Sequence, residues 1–119
     1  MQELHKGKHV MIDVRGASKE LCENDELLLQ LMVEGAKKAG MKVINQIRYR
    51  FDGITTQPGC TCFVTLDTSH VSVHTYADTG QQSWDCYTCG TADPMIIWEH
   101  IQSVLQFDDY CVEIVERFK

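Results

Sequence analysis

Hydrophobic residues recur along this chain with two different periods, and the switches between them mark out its elements. His9 to Val14 alternates well enough for a first strand, which Gly16-Ala17-Ser18 ends. Leu27, Leu28, Leu31, Met32, Gly35, Ala36 and Ala39 then return every three or four residues, the spacing of one helix face. Asn24 or Asp25 can cap that helix, and Gly40 can stop it in a left-handed conformation. Residues 41–51 read as a second strand with Val43, Ile47 and Tyr49 on one face, and Asp52-Gly53 and Gln57-Pro58-Gly59 bracket the loop after it. Residues 60–67 and 71–76 are strand segments on either side of Ser69, and 83–89 follows as another after the Asp78-Thr79-Gly80 turn. Asp93-Pro94 opens a second helix carrying Ile97, Ile101, Val104 and Leu105, and residues 109–118 close the chain as a strand. The expected fold class is α+β: a two-layer sandwich, an antiparallel sheet with two main helices on one face. The other face of such a sheet needs a partner.

Length and composition narrow this only a little. A chain of 119 residues, 44% hydrophobic and without repeats or low-complexity tracts, suits one domain spanning 1–119. A formal charge of -6 argues against a nucleic-acid surface, which needs clustered cations, and Lys37-Lys38 reads as the solvated end of a helix. No apolar run approaches the roughly 20 residues that span a bilayer, so no membrane partner is expected. Met1 to Lys6 lacks the apolar stretch of a signal peptide. The expected location is therefore cytoplasmic, where cysteines 22, 60, 62, 86, 89 and 111 stay free thiols.

Candidate chemistry concentrates in Thr68-Ser69-His70-Val71-Ser72-Val73-His74-Thr75-Tyr76 and in Asp85-Cys86-Tyr87-Thr88-Cys89-Gly90. Together they supply hydroxyls, imidazoles and thiols, hence a nucleophile, a base and an acid for one site. Strand parity puts Ser72, His74 and Tyr76 on one face, and His70 is expected to share the face of Ser69 and its partners only if the strand kinks at Ser69. Taken singly, each has a plainer reading. Strand serines mostly bond across strands, His5, His9, His70 and His100 take no role, and Cys22 and Cys111 read as small buried hydrophobes. What lifts Ser69, His74 and Cys89 above that reading is their joint order and spacing. The cysteines also admit a zinc module, with Cys60-x-Cys62 and Cys86-x-x-Cys89 as ligands, although knuckle glycines are missing.

The run Ser-His-Val-Ser-Val-His-Thr-Tyr at 69–76, with Cys-Tyr-Thr-Cys-Gly at 86–90, resembles the small prokaryotic S-adenosylmethionine decarboxylases. Gly7-Lys8-His9, Asn24 to Leu28 and Ala36 to Gly40 extend the resemblance over nearly the whole chain. It implies a proenzyme that cuts itself between Thr68 and Ser69 into 1–68 and 69–119, leaving a pyruvoyl cofactor made from Ser69. It also implies His74 as the processing base, Thr61 in the place of an assisting serine, and Cys89 as the acid that protonates the decarboxylated substrate. Tyr76 stands where an aromatic stacks on adenine, and Asp78 where a carboxylate holds the ribose. Phe51 is the available second aromatic, because Thr55 occupies the family's position. Family members pair as homodimers with their sites near the interface. The activity implied is decarboxylation of S-adenosylmethionine for polyamine (spermidine) biosynthesis, with no metal.

Besides Thr61 and Thr55, three positions depart from the family pattern: Thr68 replaces a usual Glu, Tyr76 a common Trp, and Asp78 a usual Glu. Tyr keeps a stacking face and Asp keeps a carboxylate on a shorter arm. These changes bear on the substrate more than on the reaction, so arginine or ornithine decarboxylation is the alternative. A non-processing homologue or the zinc module comes third.

Overall fold

The computed structural model describes residues 4–119, so the part of the leader reading that rests on residues 1–3 lies outside the described residues. Among the described residues six strands and three helices follow one another as β1 (Gly7–Arg15), α1 (Lys19–Cys22), α2 (Asp25–Lys38), β2 (Val43–Arg50), β3 (Cys60–Leu66), β4 (His70–Tyr76), β5 (Gln81–Cys89), α3 (Pro94–Leu105) and β6 (Asp109–Arg117). The strands form one sheet in the order β2-β3-β4-β5-β1-β6, and every neighbouring pair is antiparallel. Helix α2 packs over β2, β3 and β4, and α3 over β5 and β1, so both long helices cover the same face. No helix among the described residues is long and apolar enough to cross a membrane.

Alternation explains the layering. Val10, Ile12 and Val14, Cys60 to Leu66 at every second position, Val71, Val73, Trp84 and Cys86 all turn to the helices and are almost completely buried. Leu28, Leu31, Met32 and Ala36 from α2, with Ile97, Trp98 and Ile101 from α3, close that core from above. The helix ends are set by the expected residues. The Leu27 N–H donates to Asn24 Oδ1 at 3.2 Å and the Met95 N–H to Asp93 Oδ1 at 3.0 Å, satisfying amides that the first turn leaves open. Gly40, at φ 78°, ends α2, with its own N–H donating to the Lys37 carbonyl and that of Met41 to Ala36, which is a Schellman motif.

Two expectations fail for local reasons, and the kink at Ser69 does not occur. A β-bulge between Val43 and Asn45 inserts one residue, so Val43 joins the core side while Ile47 and Tyr49 face away from the helices. β4 starts at His70 and needs no kink: positions 70, 72, 74 and 76 share parity and all lie on the face opposite the helices. Cys22 is buried, but Cys111 is exposed, because it sits opposite Asp13 on an edge strand and on the uncovered face. The edge strand β2 is tied to α2 by charge. Buried Asp25 accepts from Arg48 Nη1 at 2.8 Å and from Arg50 Nη2 at 2.9 Å. Burial alone would raise the Asp25 carboxyl, but the two guanidinium hydrogen bonds outweigh it and hold the group below its ordinary value.

Candidate active site

Ser69 lies in the tight connection between β3 and β4, where the Leu66 N–H donates to the Ser69 carbonyl at 2.9 Å and closes the hairpin. The loop leaves Ser69 only 7% exposed. Its Oγ accepts the Cys89 N–H at 3.1 Å from the end of β5 and lies 3.4 Å from Thr68 Oγ1. Register therefore brings the candidate nucleophile and the candidate acid together at one end of the sheet. Beside them a cavity of about 240 Å3 is lined by Met41, Lys42, Asp67, Thr68, Cys89 and Thr91. Its walls include the Thr68 side of the expected cleavage point.

His74 and Thr61 are cross-strand partners on the uncovered face, with Thr61 Oγ1 2.9 Å from His74 Nδ1. The two side chains touch each other across the strands. Neither is near Ser69: five residues of extended β4 put His74 about 16 Å along the strand from it. Tyr76 lies beyond His74, at about 23 Å from Ser69 on the same estimate. Asp78 is exposed in the turn that follows.

Phe51 belongs to this distant group. Its N–H donates to the Gly59 carbonyl at 2.9 Å, and Gly59 continues the register that pairs Thr61 with His74, which places it next to Tyr76. The two rings thus flank a position without a side chain, about 10 Å apart from backbone to backbone. The loop after Phe51 is organised by Asp52, which accepts from Thr55 Oγ1 and from the N–H groups of Ile54, Thr55 and Thr56. Those bonds, the Thr55 hydroxyl first, bring Asp52 down to about 2. A second cavity, of about 210 Å3, opens beside Tyr76 and is lined by Asp13, Arg15, Gln81 and Ser83.

Between the two groups runs a row of rings to which sequence reasoning assigned no role. His70 is stacked between Phe63, at 5.5 Å, and Tyr87, at 5.7 Å, and His9 meets the Tyr87 edge at 6.1 Å. His9 Nε2 is 2.9 Å from Asp85 Oδ1. Burial, with His9 nearby, lowers the His70 value and favours its neutral form. Gly7 is also required here, because any side chain would run into the Tyr87 phenol. Two-residue parity could have placed His9, His70, Asp85 and Tyr87 on one face, but only the strand order makes them neighbours.

The zinc reading fails on position. Cys60, Cys62 and Cys86 are buried under the helices, whereas Cys89 faces the opposite side of the sheet. Among the described residues no three metal-binding side chains converge.

Comparison with known proteins bears on the fold and the family. The family model for S-adenosylmethionine decarboxylase matches residues 8–118. The S-adenosylmethionine decarboxylase proenzyme of Brevibacillus brevis is 38% identical over 101 residues, covering 84% of this chain and 73% of that protein. An arginine decarboxylase proenzyme of Hyperthermus butylicus is 32% identical over 116 residues, covering 97% of this chain and 80% of that protein. The crystal structure of the adenosylmethionine decarboxylase from Aquifex aeolicus superposes with a TM-score of 0.82 at 25% identity, over 97% of this chain and 92% of that one. Since the family match runs from the first strand to the last, and both groups of site residues fall inside it, the chain belongs to the S-adenosylmethionine decarboxylase family.

Proposed function

We propose that this protein is a self-processing decarboxylase of S-adenosylmethionine whose site is completed by a second copy of the chain. The contact of Ser69 Oγ with the Cys89 N–H, beside the Thr68 carbonyl, carries the reading. Ser69 Oγ adds to the Thr68 carbonyl carbon, the peptide C–N bond breaks, and the proton from Oγ ends on the Ser69 nitrogen. Loss of the Ser69 α-proton then expels residues 1–68 as a carboxylate and leaves dehydroalanine. Water replaces its nitrogen, which departs as ammonia, and position 69 becomes a pyruvoyl group. Ser69 suits this origin: it is held in a closed turn, nearly buried, with its hydroxyl accepting a backbone N–H, which leaves its own proton free for transfer to a base.

That base is His74, with Thr61 fixing its ring, and the separation of about 16 Å along β4 requires that it come from a partner. A twofold pairing through the uncovered face sets Thr61 and His74 of one copy against Ser69 and Cys89 of the other. Exposed Ile47, Tyr49 and Val115 on that face give the pairing apolar surface to bury. Once formed, the pyruvoyl group supplies an electron sink for the pair released when carbon dioxide leaves. Cys89 gives its thiol proton to the substrate's α-carbon, Tyr76 and Phe51 hold the adenine, and Asp78 binds the ribose hydroxyls. Six free thiols fit a reducing cytosol.

A second reading, arginine decarboxylation, draws support from the Hyperthermus butylicus relative, which matches almost the whole chain. Release of carbon dioxide from each substrate separates the two. S-Adenosylmethionine should turn over, and Tyr76→Ala should raise its KM through lost stacking worth about 1–3 kcal/mol. Turnover of arginine or ornithine with none of S-adenosylmethionine overturns the substrate while leaving the processing chemistry in place.

A further inference from the structure

We propose that the Tyr87 hydroxyl is a positioning group for the Cys89 thiol, lodged in the notch that Gly7 leaves open across the strand from it. The inference rests on the reading of Cys89 as the proton donor.

Three observations converge on it. Tyr87 and Cys89 are two residues apart on β5 and so share the uncovered face. Gly7 is the cross-strand partner of Cys89, and the atoms nearest to where its Cβ would be are the Tyr87 hydroxyl and the ring carbons next to it. The phenol oxygen therefore occupies the place of a side chain directly opposite Cys89. Opposed Cβ positions in an antiparallel pair are about 5 Å apart, so a thiol rotated toward β1 meets that oxygen. The ring itself is fixed, stacked on His70 from β4 and met at its edge by His9 from β1. A phenylalanine would fill the same volume, so packing accounts for the ring and for the glycine but not for an oxygen aimed at this spot.

Chemistry gives the oxygen a task. When Cys89 hands its proton to the substrate carbon, it becomes a thiolate on a partly desolvated face. A phenol O–H is a hydrogen-bond donor, and the Tyr87 hydroxyl donates to the sulfur. Water then returns the proton to the sulfur, and the cycle balances. The other ionisable groups around the pair are His70 on β4, His9 on β1, Asp85 on β5, bonded to His9, Arg117 on β6, which lies opposite Gly7, and Lys42 and Asp67, which line the cavity beside Cys89. Removing the phenol oxygen alone leaves all of them in place.

The test is Tyr87→Phe in the full-length protein, followed by two independent readouts. Iodoacetamide labelling of the Cys89 peptide, quantified by mass spectrometry across pH, reports the thiolate directly and separates Cys89 from exposed Cys111. The expected result is an upward move of the labelling midpoint by about half a pH unit or more, because a hydrogen bond to the charged form is lost. With it, kcat should fall about tenfold at unchanged KM and unchanged self-cleavage. Superimposable labelling profiles and equal kcat for the two proteins would overturn the proposal. Should the wild type neither cleave nor release carbon dioxide, the decarboxylase reading fails, while the labelling comparison still decides whether Tyr87 acts on Cys89.

Discussion

If the site is shared between two copies, two crippled chains should repair one another. Consider Ser69→Ala, which lacks the nucleophile, and His74→Ala, which lacks the base. General-base catalysis acts over hydrogen-bond distances of about 3 Å, and His74 stands about 16 Å along β4 from the Ser69 of its own chain. Alone, Ser69→Ala should not cleave, and His74→Ala should cleave about 10² to 10⁴ times more slowly than wild type. In a twofold dimer of one chain of each kind, one site holds both Ser69 and His74 and the other holds neither. Random pairing makes about half of the dimers mixed, so about a quarter of all chains, every one of them His74→Ala, should be cut at position 69. Co-expression with distinguishable tags, then densitometry of the fragments, measures that fraction. A mixture no more cleaved than His74→Ala alone would refute the shared site, as would His74→Ala cutting itself at the wild-type rate.

Other consequences are closer to single residues. Cys89→Ala should still self-cleave yet decarboxylate about 10² to 10⁴ times more slowly, whereas Cys86→Ala, altered beneath the helices, should change turnover little; equal loss in both would contradict the assignment of the acid. Asp25→Asn should lower stability by about 2 kcal/mol, less than for a fully buried pair because Arg48 and Arg50 are half exposed, and thermal melting reads the change. The sign with pH follows from the depressed Asp25 value: its contribution is complete above the ordinary 3.8 and disappears as the pH falls through the lower folded value, so wild type and Asp25→Asn should converge in acid.

Much of this arrangement is legible in the chain, and the limits of legibility are physical. Helix boundaries were readable because Asn24, Asp93 and Gly40 satisfy end groups locally, with no help from distant residues. The alternation of Cys60 to Leu66 shows which face is buried for the same reason. Strand order is different: β1 lies between β5 and β6, a pairing of segments far apart in sequence, so nothing local announces that His9 bonds Asp85 or that Gly7 lies opposite Cys89. The bulge at Ile44 escaped because one inserted residue reverses parity without changing composition. The candidate site residues stand out through spacing and resemblance, but spacing alone suggests one cluster. The extended backbone of β4 splits it in two, with Ser69 and Cys89 at one end and Thr61, His74 and Tyr76 toward the other.

Everything proposed for the chemistry depends on the bond between Thr68 and Ser69. Thr68 is uncharged and β-branched where the family usually has Glu, which should slow the attack of Ser69 Oγ without removing it. Intact mass of the purified protein, followed over time alongside Ser69→Ala, measures cleavage and the new cofactor together. The account predicts two pieces from the wild type, residues 1–68 and residues 69–119 beginning with a pyruvoyl group, and a single whole chain from Ser69→Ala. A wild-type chain that stays whole after long incubation, with an unmodified serine at position 69, would contradict it.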